Sequence, residues 1–124
     1  MKISAVIFDL DGTVLDNEDE YGLAFKKVLT DLGAAVKTDY PHVGGIGVEE
    51  NWPGLLRKYN LTTDKDVSQL ASETQKEYLR LLPKVRVKKG LEEFIRDLRQ
   101  DGIKTALATS NVWFIVEKVF EEIP

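Results

Sequence analysis

Apolar positions follow two patterns along this chain, and the switches between them set out the order of its elements. Ile3-Ser4-Ala5-Val6-Ile7-Phe8 is an almost unbroken apolar run, as expected of a strand buried on both faces. Tyr21, Ala24, Phe25, Val28, Leu29 and Leu32 then recur at helical spacing. Acidic Glu18, Asp19 and Glu20 suit the positive end of that helix, and Gly33 ends it. A loop over 34–47 contains Asp39-Tyr40-Pro41 and Gly44-Gly45-Ile46-Gly47. A second helix is expected over 48–59, with Pro53 as a first-turn residue or at a kink.

Thr63 followed by Asp64 and Asp66 is the expected N-terminal capping signal of a third helix. Its buried stripe reads Val67, Leu70, Ala71, Thr74, Tyr78 and Leu81, and Pro83 stops it. Residues 84–89 form a basic, β-branched connector whose Lys84, Arg86, Lys88 and Lys89 are expected to be a solvated face. Leu91, Phe94, Ile95 and Leu98 mark a fourth helix ending at Gly102. The run 103–108 is apolar or small apart from Lys104, which predicts a parallel strand covered on both faces, and 112–121 forms the last helix. Strand, helical block, helix, strand, helix is an α/β order with an all-helical insertion.

Composition narrows the function more than the fold. With 124 residues, 43% apolar and 31% charged, the chain has the make-up of a single globular domain with a modest core. A net charge of -4 argues against a nucleic-acid or anionic-membrane surface as main partner. Cysteine is absent, which excludes disulfides and thiolate chemistry and agrees with a cytoplasmic location. Neither a signal-peptide core nor a membrane span is expected.

The chemistry is concentrated in Phe8 to Asp16, which read Phe-Asp-Leu-Asp-Gly-Thr-Val-Leu-Asp. Acids separated by one residue at a strand end project to the same side, and crowded there they need a cation or a proton. Phosphoryl transfer through an aspartyl-phosphate fits. Asp9 would attack phosphorus with one oxygen and hold Mg2+ with the other, helped by the Asp11 carbonyl. Asp11 would protonate the leaving oxygen and later take a proton from water. Gly12 permits the sharp turn, and the Thr13 hydroxyl is expected to orient Asp11. The plainer alternative is a strand end followed by an ordinary Asp-Gly turn. The complete nonamer after an apolar strand favours the chemical reading.

Thr109-Ser110-Asn111, between a strand and a helix, forms the second expected site element. The Thr109 hydroxyl and the amides of Ser110 and Asn111 would donate to a phosphate at the helix N-terminus. The alternative is a helix cap, and the two roles are compatible. Of the remaining residues, His42 is expected to be a solvated loop residue, and Trp52 and Trp113 to pack as large apolar groups, with Trp52 also a candidate for a substrate entrance.

Asp9 to Asp16 resembles the first motif of the haloacid dehalogenase-like (HAD) superfamily of phosphohydrolases, and Thr109 matches its second. The acid at Asp11 is similar to the Mg2+-dependent phosphatase and phosphomutase branch, because true dehalogenases have no acid there. The resemblance implies a Rossmann-like parallel-sheet core, incomplete here, with a helical cap. The expected division is core over 1–15, cap over 16–83 and core over 84–124. It implies a Mg2+-dependent hydrolase of a small phosphorylated metabolite, phosphoglycolate phosphatase-like.

A β-phosphoglucomutase-like sugar phosphomutase is the alternative. That branch carries a His and an Arg in the cap at places falling near Gly22 and Val48. A third reading is a non-catalytic truncated binding module. The family's lysine and later acidic pair are not found, since Lys118, Glu121 and Glu122 share the helix after Thr109. The chain is therefore expected to hold the N-terminal part of a phosphatase, with little turnover alone.

Overall fold

The computed structural model describes residues 2–122. Its strands are β1 (Ala5–Asp9), β2 (Leu15–Asp16), β3 (Arg86–Val87) and β4 (Lys104–Ala108). Its helices are α1 (Glu18–Asp31), α2 (Val48–Lys58), α3 (Val67–Leu81), α4 (Leu91–Gln100) and α5 (Trp113–Glu122), with a 3-10 turn at Leu82–Lys84. The fold class is α/β, with a parallel strand pair. Among the described residues no helix is long and apolar enough to cross a membrane. The chain gathers into two compact units, one of residues 2–17 with Val85–Thr109, the other of Glu18–Lys84 with 110–122.

In the first unit β1 and β4 run parallel, in register from Ala5 opposite Lys104 to Asp9 opposite Ala108. α4 packs on β4, and the Phe94 ring meets Phe8 edge-on at 6.1 Å. The strands are less covered than their apolar sequence suggests, for Ile7 is 69% and Leu107 38% exposed. The physical reason is that, among the described residues, α4 is the one helix of this unit, so a face of the strand pair lacks a covering layer within it. The basic connector is also more ordered than expected. Leu15 pairs with Val87 and Asp16 with Arg86 in an antiparallel ribbon, which the Lys88 N–H extends by donating to the Val14 carbonyl at 2.9 Å.

In the second unit α3 packs against α1 and α2, and α5 packs on α3 and the 3-10 turn. Tyr21 and Tyr78 meet at 3.8 Å between ring centroids, and Phe25 lies 5.8 Å from Trp52. Trp52 is fully buried, with Nε1 donating to the Thr74 hydroxyl at 3.0 Å, so it is a core residue and no entrance group. Thr74 in turn donates to the Leu70 carbonyl at 2.7 Å, which satisfies both polar atoms inside the core. Asn51 binds the loop to α2 by accepting from the Val43 N–H and donating to the Val43 and Gly47 carbonyls.

Several sequence expectations need correction in this unit. The cap of α3 is Asp66, which accepts from the Gln69 N–H at 2.8 Å while the Gln69 side chain accepts from the Asp66 N–H at 2.9 Å. Thr63 instead accepts from the Lys65 N–H in a local turn that delays the helix. Pro53 lies in the second turn of α2, beyond the first-turn position, and the helix continues through it. In α5 the side chains of Ile115, Val116 and Val119 are buried against helical neighbours. Trp113 lies roughly 115° around the helix from the middle of that stripe. It is therefore 69% exposed, where packing was expected.

His42 is half-buried, stacked on Phe25 with ring centroids 4.9 Å apart. Burial holds its pKa below the usual histidine value, against an opposing pull from Glu18.

Candidate active site

Residues 9–17 form a tight loop organised by the backbone. The Leu10 carbonyl accepts from the amides of Val14 and Leu15, both at 3.0 Å, and the buried Leu10 and Leu15 side chains anchor the loop. Gly12 adopts φ 76°, a left-handed conformation that a side chain would strain. Asp9 is exposed, Leu10 buried and Asp11 half-buried, so the alternation of the strand carries past its last paired residue. Asp9 Oδ1 accepts the Leu10 N–H at 2.9 Å.

Asp11 Oδ1 accepts from Asn17 Nδ2 at 2.7 Å. Thr13, the donor expected from the sequence, is exposed. Asn17 was missed by sequence reasoning. Its only local signal is a polar residue immediately before the acidic start of α1, a pattern that says capping rather than catalysis.

The parallel register sets Ala108 opposite Asp9, so Thr109 is the first residue past β4 at the strand edge where Asp9 ends β1. Thr109 is half-buried. Ser110 and Asn111 follow it in the chain and belong to the helical unit. The Asn111 side chain is engaged there, with Nδ2 donating to the Tyr21 hydroxyl at 2.5 Å and Oδ1 accepting the Val112 N–H at 3.0 Å.

Oxygen donors suited to Mg2+ are present at the Asp9 carboxylate and the Asp11 carbonyl. Among the described residues no group of three or more His, Cys, Asp or Glu could hold a metal alone. Mg2+ nevertheless commonly takes one or two carboxylates and completes its octahedron with water and substrate phosphate, so the donor set fits that ion.

Residues 3–124 match the sequence model described as haloacid dehalogenase-like hydrolase. The chain belongs to that family. Among relatives of these haloacid dehalogenase-like hydrolases, it is 32% identical over 116 residues to "Putative pyrophosphatase PpaX" of Caldanaerobacter subterraneus subsp. tengcongensis, covering 89% of this chain and 48% of the relative. The fold is that of CbbY from Rhodobacter sphaeroides, whose structure is in complex with phosphate. The TM-score is 0.79 at 21% identity, over 98% of this chain and 57% of that one. β-Phosphoglucomutase from Clostridium difficile is similar at TM-score 0.72 and 24% identity, over 86% and 51% of the two chains. The chain thus spans about half the length of these proteins.

A second local feature bears on the choice within the family. The loop over 34–47 crosses α1 at Gly22, where an added Cβ would lie 1.9 Å from the Asp39 carbonyl oxygen. Lys26 pairs with Asp39 at 2.9 Å, and the Tyr40 hydroxyl donates to Asp19, so the crossing is held on both sides.

Proposed function

We propose that the protein of which this chain is a part hydrolyses phosphate monoesters of small metabolites in a Mg2+-dependent reaction through an aspartyl-phosphate on Asp9. The carrying observation is the parallel register that brings Asp9 and the β4–Thr109 step to one strand edge. Asp9 supplies the attacking oxygen. Asp11, oriented by a hydrogen bond from within the same loop, donates a proton to the leaving oxygen and removes one from the water that cleaves the acyl-phosphate. Thr109, with the amides of Ser110 and Asn111, supports the phosphate oxygens by donation. When bound by Asp9 and the Asp11 carbonyl, Mg2+ offsets the repulsion between carboxylate and phosphate.

The mutase alternative is disfavoured by Gly22. A histidine there would drive its Cβ into the Asp39 backbone, so the cap histidine of that branch has no room at this position. Phosphoglycolate is the first substrate to assay, with pyrophosphate added because of the name of the PpaX relative. The partner class is a small phosphorylated metabolite in the cytoplasm, and a net charge of -4 supports neither nucleic acid nor an anionic membrane as partner.

The protein expressed from its entire reading frame should release inorganic phosphate only with Mg2+. Asp9→Asn should fall to background, and Asp11→Asn should lose about 10²–10⁴-fold in kcat. Conversion of β-glucose 1-phosphate to glucose 6-phosphate without free phosphate would instead establish the mutase. The 124-residue chain alone should turn over little, since its described residues hold no larger metal cluster.

A further inference from the structure

Asn17 is buried without any exposed surface, although it stands in a loop of mainly exposed or half-buried residues. Burying an amide is costly unless its hydrogen bonds are made, so such a residue persists where both ends find partners. Here each end has a partner in the nucleophile loop. Asn17 Oδ1 accepts the Gly12 N–H at 2.9 Å, and Nδ2 donates to Asp11 Oδ1 at 2.7 Å. The partners themselves determine the orientation of the amide. A backbone N–H only donates and an ionised carboxylate only accepts, so the oxygen faces Gly12 and the nitrogen faces Asp11.

We infer that Asn17 is a positioning residue for Asp11, holding its carboxylate where proton transfer to and from the substrate takes place. This rests on the hydrolase reading given above. One amide grips both the backbone at the turn and the carboxylate one residue before it, so loop and acid are referenced to the same rigid group. Proton transfer is sensitive to such placement, because a reacting group displaced by about 1 Å can cost about 100-fold in rate. A purely structural amide would need only the Gly12 contact and would be indifferent to Asp11.

The test uses the protein from its entire reading frame. Asn17→Asp keeps the shape and the acceptor for Gly12 but replaces the donor with a second carboxylate. It should lower kcat about 10- to 100-fold with KM changed less than about 3-fold, as should Asn17→Ala. In an Asp11→Asn background, Asn17→Ala should cause no further loss of kcat. Should the Asn17 variants fail to fold, Asp11→Ala in isotope-labelled protein provides the second measurement. It should shift the Asn17 side-chain amide resonances and speed their hydrogen exchange.

Undiminished kcat in Asn17→Asp, an equal loss with and without Asp11, or amide resonances unmoved by Asp11→Ala would each overturn this role alone. A wild-type protein with no phosphatase turnover would overturn the hydrolase reading, and the role with it.

Discussion

His42 shows how a single residue can differ from its sequence context. Flanked by Pro41 and Val43 in a glycine-rich loop, it nevertheless stacks on Phe25, and burial lowers its pKa while Glu18 partly opposes the shift. The unfolded chain, with an ordinary value near 6.5, takes up the proton first as the pH falls. The stability contributed by the neutral ring is therefore present above that value. It is lost as the pH drops below it, until the folded protein is protonated too. Lowering the pH from about 7.5 to about 5.5 should depress the melting temperature more in the wild type than in His42→Phe, which keeps the ring and removes the titration. Equal shifts in the two proteins would contradict this account.

The same scale separates the residues whose setting local pattern reveals from those whose setting it hides. The placement of Asp9, Asp11 and Thr109 at or just past a strand end was legible, because local pattern reveals where an apolar strand stops. Asn17 and Gly22 were not. The first matters through bonds to residues five and six positions back, the second through a backbone carbonyl seventeen residues ahead, and no periodicity reports either contact.

At the scale of elements, helices were legible wherever one face repeats, as in α1 and α3, whose buried residues follow the expected stripes. Boundaries were less so, because capping is decided by which side chain reaches an amide first. Asp66 wins over Thr63 through reciprocal bonds with Gln69. Asp66→Ala should cost about 1 kcal/mol in chemical denaturation, whereas Thr63→Ala should cost markedly less. Equal losses would assign the cap wrongly. The two-residue strands β2 and β3 escaped notice for a different reason: a pair so short has no period, and only its partner defines it.

At the scale of the whole molecule, the strand pair carries the clearest consequence. Ile3 and Ile7 are exposed on β1 and just before it, and Leu107 is exposed on β4. The expectation of strands covered on both faces came from their composition, which is suited to a sheet with more layers than the described residues provide. The 124-residue chain should accordingly associate as its concentration rises in sedimentation velocity, and Ile7→Lys should reduce that association without lowering the melting temperature. Monomeric behaviour of the wild-type chain at high concentration would show that this apolar surface is not adhesive.

The small ribbon of β2 and β3 also bears on how such a chain can vary over evolutionary time. The polypeptide departs for its helical excursion just after Asp16 and comes back at Arg86, and those two residues are direct neighbours across the ribbon. Doorway and exit are thus latched together beside the loop over 9–17. Helices between them can be lengthened or exchanged while the latch keeps the same span closed.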